Sequence, residues 1–246
     1  MRNLAGRVIL VSGAASGLGR AIALQLARGG AHAVIGDVDV DGAGETERLI
    51  RDDRWSASSL ALDVTDTESV NAAIASTVER FGRRFDGLVN NAAAPGGPGI
   101  LGTSDDVWAQ TIAVNQSGPW NLSRAFLKMV GSAEREFPAD IVNVISTAAI
   151  MVGDNQAAYD TSKAALAMLT RVLQREAHEN RWPVRVHGLM PGGMRTRFMG
   201  PSHPSDETRM ETHTPARAVE FMLTLPPDIY IQNLVISSRR EHGFPV

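Results

Sequence analysis

The sequence predicts an α/β protein: a doubly wound, mainly parallel seven-stranded sheet with helices on both faces, in one domain spanning residues 1–246. Two observations carry this. Seven short runs rich in apolar and β-branched residues recur along the chain: RVILVS, HAVIGD, SLALDV, DGLVNN, DIVNVIS, VRVHGLM and NLVIS. Continuous apolar runs of that length suit strands buried on both faces. Helical spacing fills the intervals, and strand alternating with helix implies parallel strands joined by right-handed crossovers. A hydrophobic fraction of 43% is enough to fill the core of one such domain.

The first run feeds SGAASGLGRAIALQLA, where Gly13, Gly17 and Gly19 form G-x-x-x-G-x-G, with Ser16 and Leu18 between them. Glycine permits the tight strand-to-helix turn and lets the backbone approach a pyrophosphate at the helix N-terminus. Ile22, Leu24 and Leu26 continue the helix. The second run ends at Asp37, 18 residues beyond Gly19. That is near the ~20 expected of an acid that accepts hydrogen bonds from an adenosine ribose diol. A carboxylate there repels a 2′-phosphate. Val38 and Ala15 carry no charge, and no Arg or Lys stands at the usual phosphate-reading places. NAD(H) is therefore expected over NADP(H).

The third run ends near Asp63 and Val64, where Asp63 could accept from an adenine amino group; Val70, Ile74, Val78 and Phe81 then keep helical spacing. The fourth run ends at Asn90 and Asn91, followed by Ala92 to Ala94, small enough for a cofactor to pass close to the backbone. Both ends fall where open α/β sheets bind ligands. The bland alternative for each is a turn formed by an Asx side chain. A helix is expected from Trp108 to Met129, with Asn115 inside it and Asp105–Asp106 as its N-cap. The fifth run supplies Ser146, and the helix from about Ala157 carries Leu166, Leu169 and Leu173. The segment 195–215, rich in Pro, Ser, Thr and charge, reads as a short lid.

A net charge of −3, with acids and bases interleaved, argues against nucleic acid or an acidic membrane as the main partner. The absence of cysteine excludes disulfide and thiolate chemistry. No apolar run approaches the ~18 residues of a membrane span, and the start is too short for a signal peptide. A cytoplasmic location is expected. The six histidines lack ligand spacing, so no metal site is expected.

Tyrosine and lysine each occur only twice, against 22 arginines, yet Tyr159 and Lys163 stand four residues apart in AAYDTSKAAL. That spacing puts both on one helix face. Hydride transfer to or from an alcohol needs a group that trades a proton with the substrate oxygen. Free tyrosine has a pKa of about 10, and a nearby ammonium favours the phenolate and lowers it. Lysine is a compact point charge where arginine is a rigid fork, so a lysine kept in an arginine-rich chain suggests a specific electrostatic duty. The bland alternative is an amphipathic helix with a solvated lysine.

The chain resembles the short-chain dehydrogenase/reductase family along essentially its whole length. The residues that carry the resemblance are Gly13, Gly17 and Gly19; Asp63; NNAA from Asn90; Asn115; Ser146; YDTSK from Tyr159; and PGG from Pro191. The resemblance implies a single-domain, Rossmann-like oxidoreductase acting on a ketone or secondary alcohol with a Ser–Tyr–Lys–Asn tetrad. Tyr159 would be the general acid/base, and Ser146 would hydrogen-bond the substrate oxygen. Lys163 would bind the nicotinamide ribose and depress the phenol. Asn115 would hold, through main-chain contacts, a water that links Lys163 to solvent. Pro191, Gly192, Met194 and Thr196 would pack around the nicotinamide. Ser12 replaces the usual Thr, and Ala93 the usual Gly of NNAG; neither touches the tetrad.

Family position also suggests Ala94, Pro95, Ala148, Met151, Val152, Gln156, Gly193 and Phe198 as substrate lining, a mainly apolar set suited to a modest ketone. Arg195 and Arg197 read as solvated charges of the lid, with an anionic substrate group as the alternative. The family further implies a homodimer or homotetramer, for which Leu166/Leu169/Leu173 and Trp120/Phe126/Val130 are candidate faces. Two competing readings are an NADPH-dependent ketoreductase of a biosynthetic pathway and an inactive NAD(H)-sensing protein.

Overall fold

The computed structural model describes residues 3–131, 137–196, 198 and 208–240. In chain order the elements are β1 (Val8–Ser12), α1 (Gly17–Arg28), β2 (His32–Asp37), α2 (Val40–Asp52), β3 (Ser56–Ala61), α3 (Thr67–Phe81) and β4 (Phe85–Asn90). They continue with α4 (Asp105–Ile112), α5 (Gly118–Val130), β5 (Ala139–Val144), α6 (Ala157–Glu179), β6 (Val184–Pro191), α7 (His213–Leu223) and β7 (Leu234–Ile236). The strands form one sheet in the order β3-β2-β1-β4-β5-β6-β7, and every neighbouring pair is parallel. The chain winds outward from β1 to β3, then crosses to β4 and winds the other way. This is the doubly wound, Rossmann-like order, and its switch point lies between β1 and β4.

Alternation along the strands explains why the apolar runs are continuous. Ile9 and Val11 of β1 pack with Ile22 and Leu26 of α1 and Val219 and Met222 of α7 on one face. Val8 and Leu10 pack on the other, with Val70 and Ile74 of α3 and Leu122 and Phe126 of α5. At the amino edge of the sheet, Asp140 is completely buried and accepts from Arg7 Nη2 (2.7 Å), Arg185 Nε (2.8 Å) and His187 Nε2 (3.2 Å). The two guanidinium groups also donate to the carbonyls of Leu223 (2.8 Å) and Ile229 (3.0 Å), tying the C-terminal segment to the sheet.

Four sequence expectations are corrected. The third strand closes at Ala61, two residues before Asp63, because pairing with β2 ends at Asp37. The helix expected from Trp108 to Met129 is broken by a π-turn over Ala113–Ser117, where Gly118 N donates to Ala113 O. Pro119 gives the reason: it has no N–H, and its ring crowds the carbonyl four residues back. The N-cap of α4 is Ser104, which accepts from Val107 N at 3.3 Å, and Asp105–Asp106 fill the first turn. Leu166, Leu173, Phe126 and Val130 are buried against their own sheet, and Leu169 packs with them. The apolar residues left exposed on α4, α5 and α6 include Trp108, Trp120, Met168 and Val172.

Candidate active site

At the carboxyl edge of the sheet lies an open cleft of about 1290 Å³. The turn after β1 forms one end. Gly13 has φ +66°, and a Cβ there would stand 2.6 Å from Ala92 Cα, so only glycine fits. Ser12 Oγ accepts from the amides of Asn91 and Ala92, both at 3.1 Å, and Asn91 Nδ2 donates to the carbonyls of Ser12 and Gly13, both at 3.0 Å. The ends of β1 and β4 are thereby stapled on either side of the switch point. Gly13, Ser16, Gly17, Leu18, Gly19, Asp37, Val38, Asp63, Val64, Ala92, Pro191, Gly192, Met194 and Thr196 all line the cleft, as expected for the cofactor end. Asn90 does not. Its side chain is buried in the sheet and donates to Asn143 Oδ1 (2.7 Å) and Ser123 Oγ (3.0 Å), because a strand residue alternates faces and Asn91, not Asn90, turns toward the glycine turn.

Asp37 is half-buried. Its Oδ2 accepts from Ala15 N (2.9 Å) and its Oδ1 from Asp39 N (3.0 Å). A carboxylate has about four acceptor sites, so the group keeps capacity for a ligand diol.

At the other end, Ser146, Tyr159 and Lys163 converge on the cleft wall. Ser146 stands close enough to the Tyr159 phenol to favour its ionised form, and its Oγ accepts from Ala148 N at 3.1 Å. Lys163 Nζ lies 5.6 Å from the Tyr159 ring centroid and donates to Val144 O at 3.1 Å. Asn115 stands behind the wall, fully buried in the π-turn. It accepts from Ala94 N (2.7 Å) and donates to Ala94 O and Ser162 Oγ (both 2.9 Å); Ser162 in turn donates to Tyr159 O (2.7 Å). Asn115 therefore ties the 94–95 loop to the first turn of α6.

The electrostatics depart from the sequence expectation of a lowered phenol. Burial pushes Tyr159 up to about 12; the nearby Ser146 hydroxyl works against this, and the Asp160 carboxylate works with it. Burial also pulls Lys163 down to about 8. Both shifts have the same main cause: burial disfavours the charged form of each group.

Of the substrate-lining residues expected, Ala94, Ala148, Met151, Val152, Gln156, Gly193 and Phe198 are on the wall, with the Phe198 ring 5.7 Å from that of Tyr159. Pro95 is not; its carbonyl accepts from the Thr111 hydroxyl at 2.9 Å. The wall also holds Gln110, Thr147, Asp154, Asp160 and Arg209, so it is more polar than the sequence suggested. Asp160 Oδ2 accepts from Gly153 N at 2.8 Å, and burial raises its pKa. Its place beside Tyr159 in the YDTSK stretch was the signal for it. Gln110 and Arg209 had none, since only folding brings them to the cleft. Arg195 is paired with Glu211 at 2.6 Å, and Arg197 and residues 199–207 of the expected lid lie outside the described residues. Within the expected lid, residues from His213 onward belong to α7.

No helix among the described residues is long and apolar enough to cross a membrane. Comparison with known proteins agrees with the fold. A 2,5-dichloro-2,5-cyclohexadiene-1,4-diol dehydrogenase from Sphingobium indicum is 34% identical over 210 residues, covering 85% of this chain and 81% of that protein. Similar solved structures include two with bound dinucleotide. One is a metagenomic short-chain oxidoreductase in complex with NADP, with 30% identity, TM-score 0.80 and coverage of 95% of this chain and 97% of that one. The other is an alcohol dehydrogenase from the archaeon Thermococcus sibiricus complexed with 5-hydroxy-NADP, with 26% identity, TM-score 0.85 and coverage of 97% and 99%. A family model described as short chain dehydrogenase matches residues 7–207, and on that match, together with the doubly wound sheet, the chain belongs to the short-chain dehydrogenase family of oxidoreductases.

Proposed function

We propose that the protein transfers a hydride between NAD(H) and a ketone or secondary alcohol, with Tyr159 as general acid/base. The observation that carries this is the convergence of Ser146, Tyr159 and Lys163 on the wall of a cleft whose other end is the glycine turn and Asp37. The residues fit a dinucleotide: Gly13 leaves a cradle that a Cβ would fill, and Asp37 retains acceptor capacity. Gly13, Gly17 and Gly19 would receive the pyrophosphate, Asp37 the adenosine ribose, Lys163 the nicotinamide ribose, and Pro191, Gly192, Met194 and Thr196 the nicotinamide. When bound, the cofactor supplies the hydride or accepts it.

A phenol near 12 is protonated at neutral pH and ready to donate to a carbonyl oxygen. Ser146 would hydrogen-bond that oxygen and steady charge developing on it. Asn115 would act through the 94–95 loop and Ser162, and its π-turn backbone would hold the relay water beside Lys163. Tyr159→Phe should lower kcat by about 10²–10⁴-fold while NADH still binds. Turnover close to wild type would end this reading.

A second reading, an NADPH-dependent ketoreductase, is favoured by the NADP bound to two solved relatives. Titration of NADH and NADPH separates the two, and tighter NADPH binding would select the second.

A further inference from the structure

We infer that Glu45 sets the choice between the two dinucleotides by neutralising Arg20 beside Asp37. The inference rests on the dinucleotide reading above and extends it to residues outside the glycine turn and the acid at the end of β2. Arg20 and Glu45 both line the cleft at the end that holds Asp37 and Val38. Arg20 Nη2 pairs with Glu45 Oε2 at 2.7 Å. Arg20 Nε donates to Ala15 O (3.0 Å) and Thr46 Oγ1 (2.9 Å). Thr46 is buried and donates to Ala14 O at 3.0 Å. The same residue, Ala15, donates its N–H to Asp37 at 2.9 Å. A continuous chain thus runs from Asp37 through Ala15 to Arg20 and Glu45.

Arg20 follows directly on the third glycine of the turn, where a cation could attract a 2′-phosphate. Its guanidinium is instead committed to a turn carbonyl, a hydroxyl and a carboxylate. The charged residues lining this end are Arg20 against Asp37, Glu45 and Asp63. That is one positive charge and three negative, or −2, facing a 2′-phosphate of about −2 at neutral pH. Removing the Glu45 charge both unmasks the guanidinium and deletes a repulsion, whereas NADH presents only an uncharged 2′-hydroxyl at that point.

The Arg20 side chain is 25% exposed and that of Glu45 52%, so solvent moderates the effect without erasing it. The test measures the Kd values of NADH and NADPH in one low-salt buffer for wild type, Glu45→Gln and Arg20→Gln. Glutamine at position 45 keeps an acceptor for Arg20 but no charge. The ratio Kd(NADPH)/Kd(NADH) should fall by roughly threefold or more in Glu45→Gln, a size typical of a part-exposed charge pair. It should rise in Arg20→Gln.

A smaller fall or a rise in Glu45→Gln overturns the inference, as does a ratio that falls or stays level in folded Arg20→Gln. Should Arg20→Gln fail to fold, Glu45→Gln alone decides. A wild-type ratio below one would instead overturn the NAD preference, and the change on substitution would still be readable. Failure of wild type to bind either nucleotide would overturn both.

Discussion

Tyr159 and Lys163 illustrate how one burial event acts in opposite senses on an acid and a base. The phenol is pushed to about 12 and the ammonium down to about 8, each by desolvation of its charged form. Asp160 adds to the upward push on the phenol. Asp160→Asn should therefore move the rising limb of alcohol oxidation to lower pH, seen in the pH dependence of kcat/KM; a limb unmoved or moved upward would exclude that coupling. Lys163 also marks stability. The unfolded chain keeps this proton to about 10.5, whereas the folded chain releases it near 8. The unfolded state thus binds more protons between those values, so stability rises with pH across that window, by at most about 1.4 kcal/mol per pH unit. Tyr159 opposes this only above about 10, where the unfolded phenol ionises first. Urea midpoints from pH 7.5 to 9.5 should rise in wild type and flatten in Lys163→Met.

Two short elements shape the two ends of the cleft, and they differ in how visible they were beforehand. The β1–α1 turn was legible because its three glycines have a fixed spacing. Gly13→Ala forces a side chain into left-handed backbone and against Ala92. It should weaken NADH binding at least tenfold and lower stability by about 1–2 kcal/mol, since an L-residue is strained there; a nucleotide titration and a urea melt check both. The π-turn was not legible. Asn115 was identified by family position, but the sequence read as one helix from Trp108 to Met129. The turn arises because Pro119 removes a donor and Asn115 is pulled into contacts with Ala94 and Ser162, residues remote in sequence. Asn115→Ala would leave the amide of Ala94 without its partner in a protein interior, costing about 1–3 kcal/mol in chemical denaturation.

At the scale of the molecule, the two edges of the sheet have separate tasks. The carboxyl edge holds the cleft, and the amino edge holds a charge network around Asp140. Burial alone would raise the Asp140 pKa, but the hydrogen bond from His187 and the charges of Arg7 and Arg185 outweigh it and hold the carboxyl below its ordinary range. A carboxyl lowered in the folded state stabilises above its unfolded pKa, and that contribution is lost as pH falls through the folded value. Asp140→Asn should cost about 3–5 kcal/mol in a urea melt at pH 7, because the buried Arg185 guanidinium loses its counter-charge and Arg7 keeps only Asp86, at 2.9 Å. Trp108, Trp120, Met168 and Val172 leave apolar side chains exposed on α4, α5 and α6, and the oligomer the resemblance implies is a matter for solution mass. Light scattering should give a mass two or four times 26.4 kDa, and a monomer at working concentration would refute this.

The sequence by itself determined the fold class, the order of strands and helices and the glycine turn, and it singled out Asp37, Ser146, Tyr159 and Lys163, which folding brings to one cleft. These depend on periodicity, on backbone freedom at glycine and on residue types at short spacing, all of which are local. Tertiary structure alone decided that Asn90 faces the sheet interior, that Leu166 and Leu173 face their own core, and that Glu45 meets Arg20 across 25 residues. It also decided the sign of the shift on Tyr159. Each of these depends on which surfaces lose water when distant segments pack, and no local pattern encodes that.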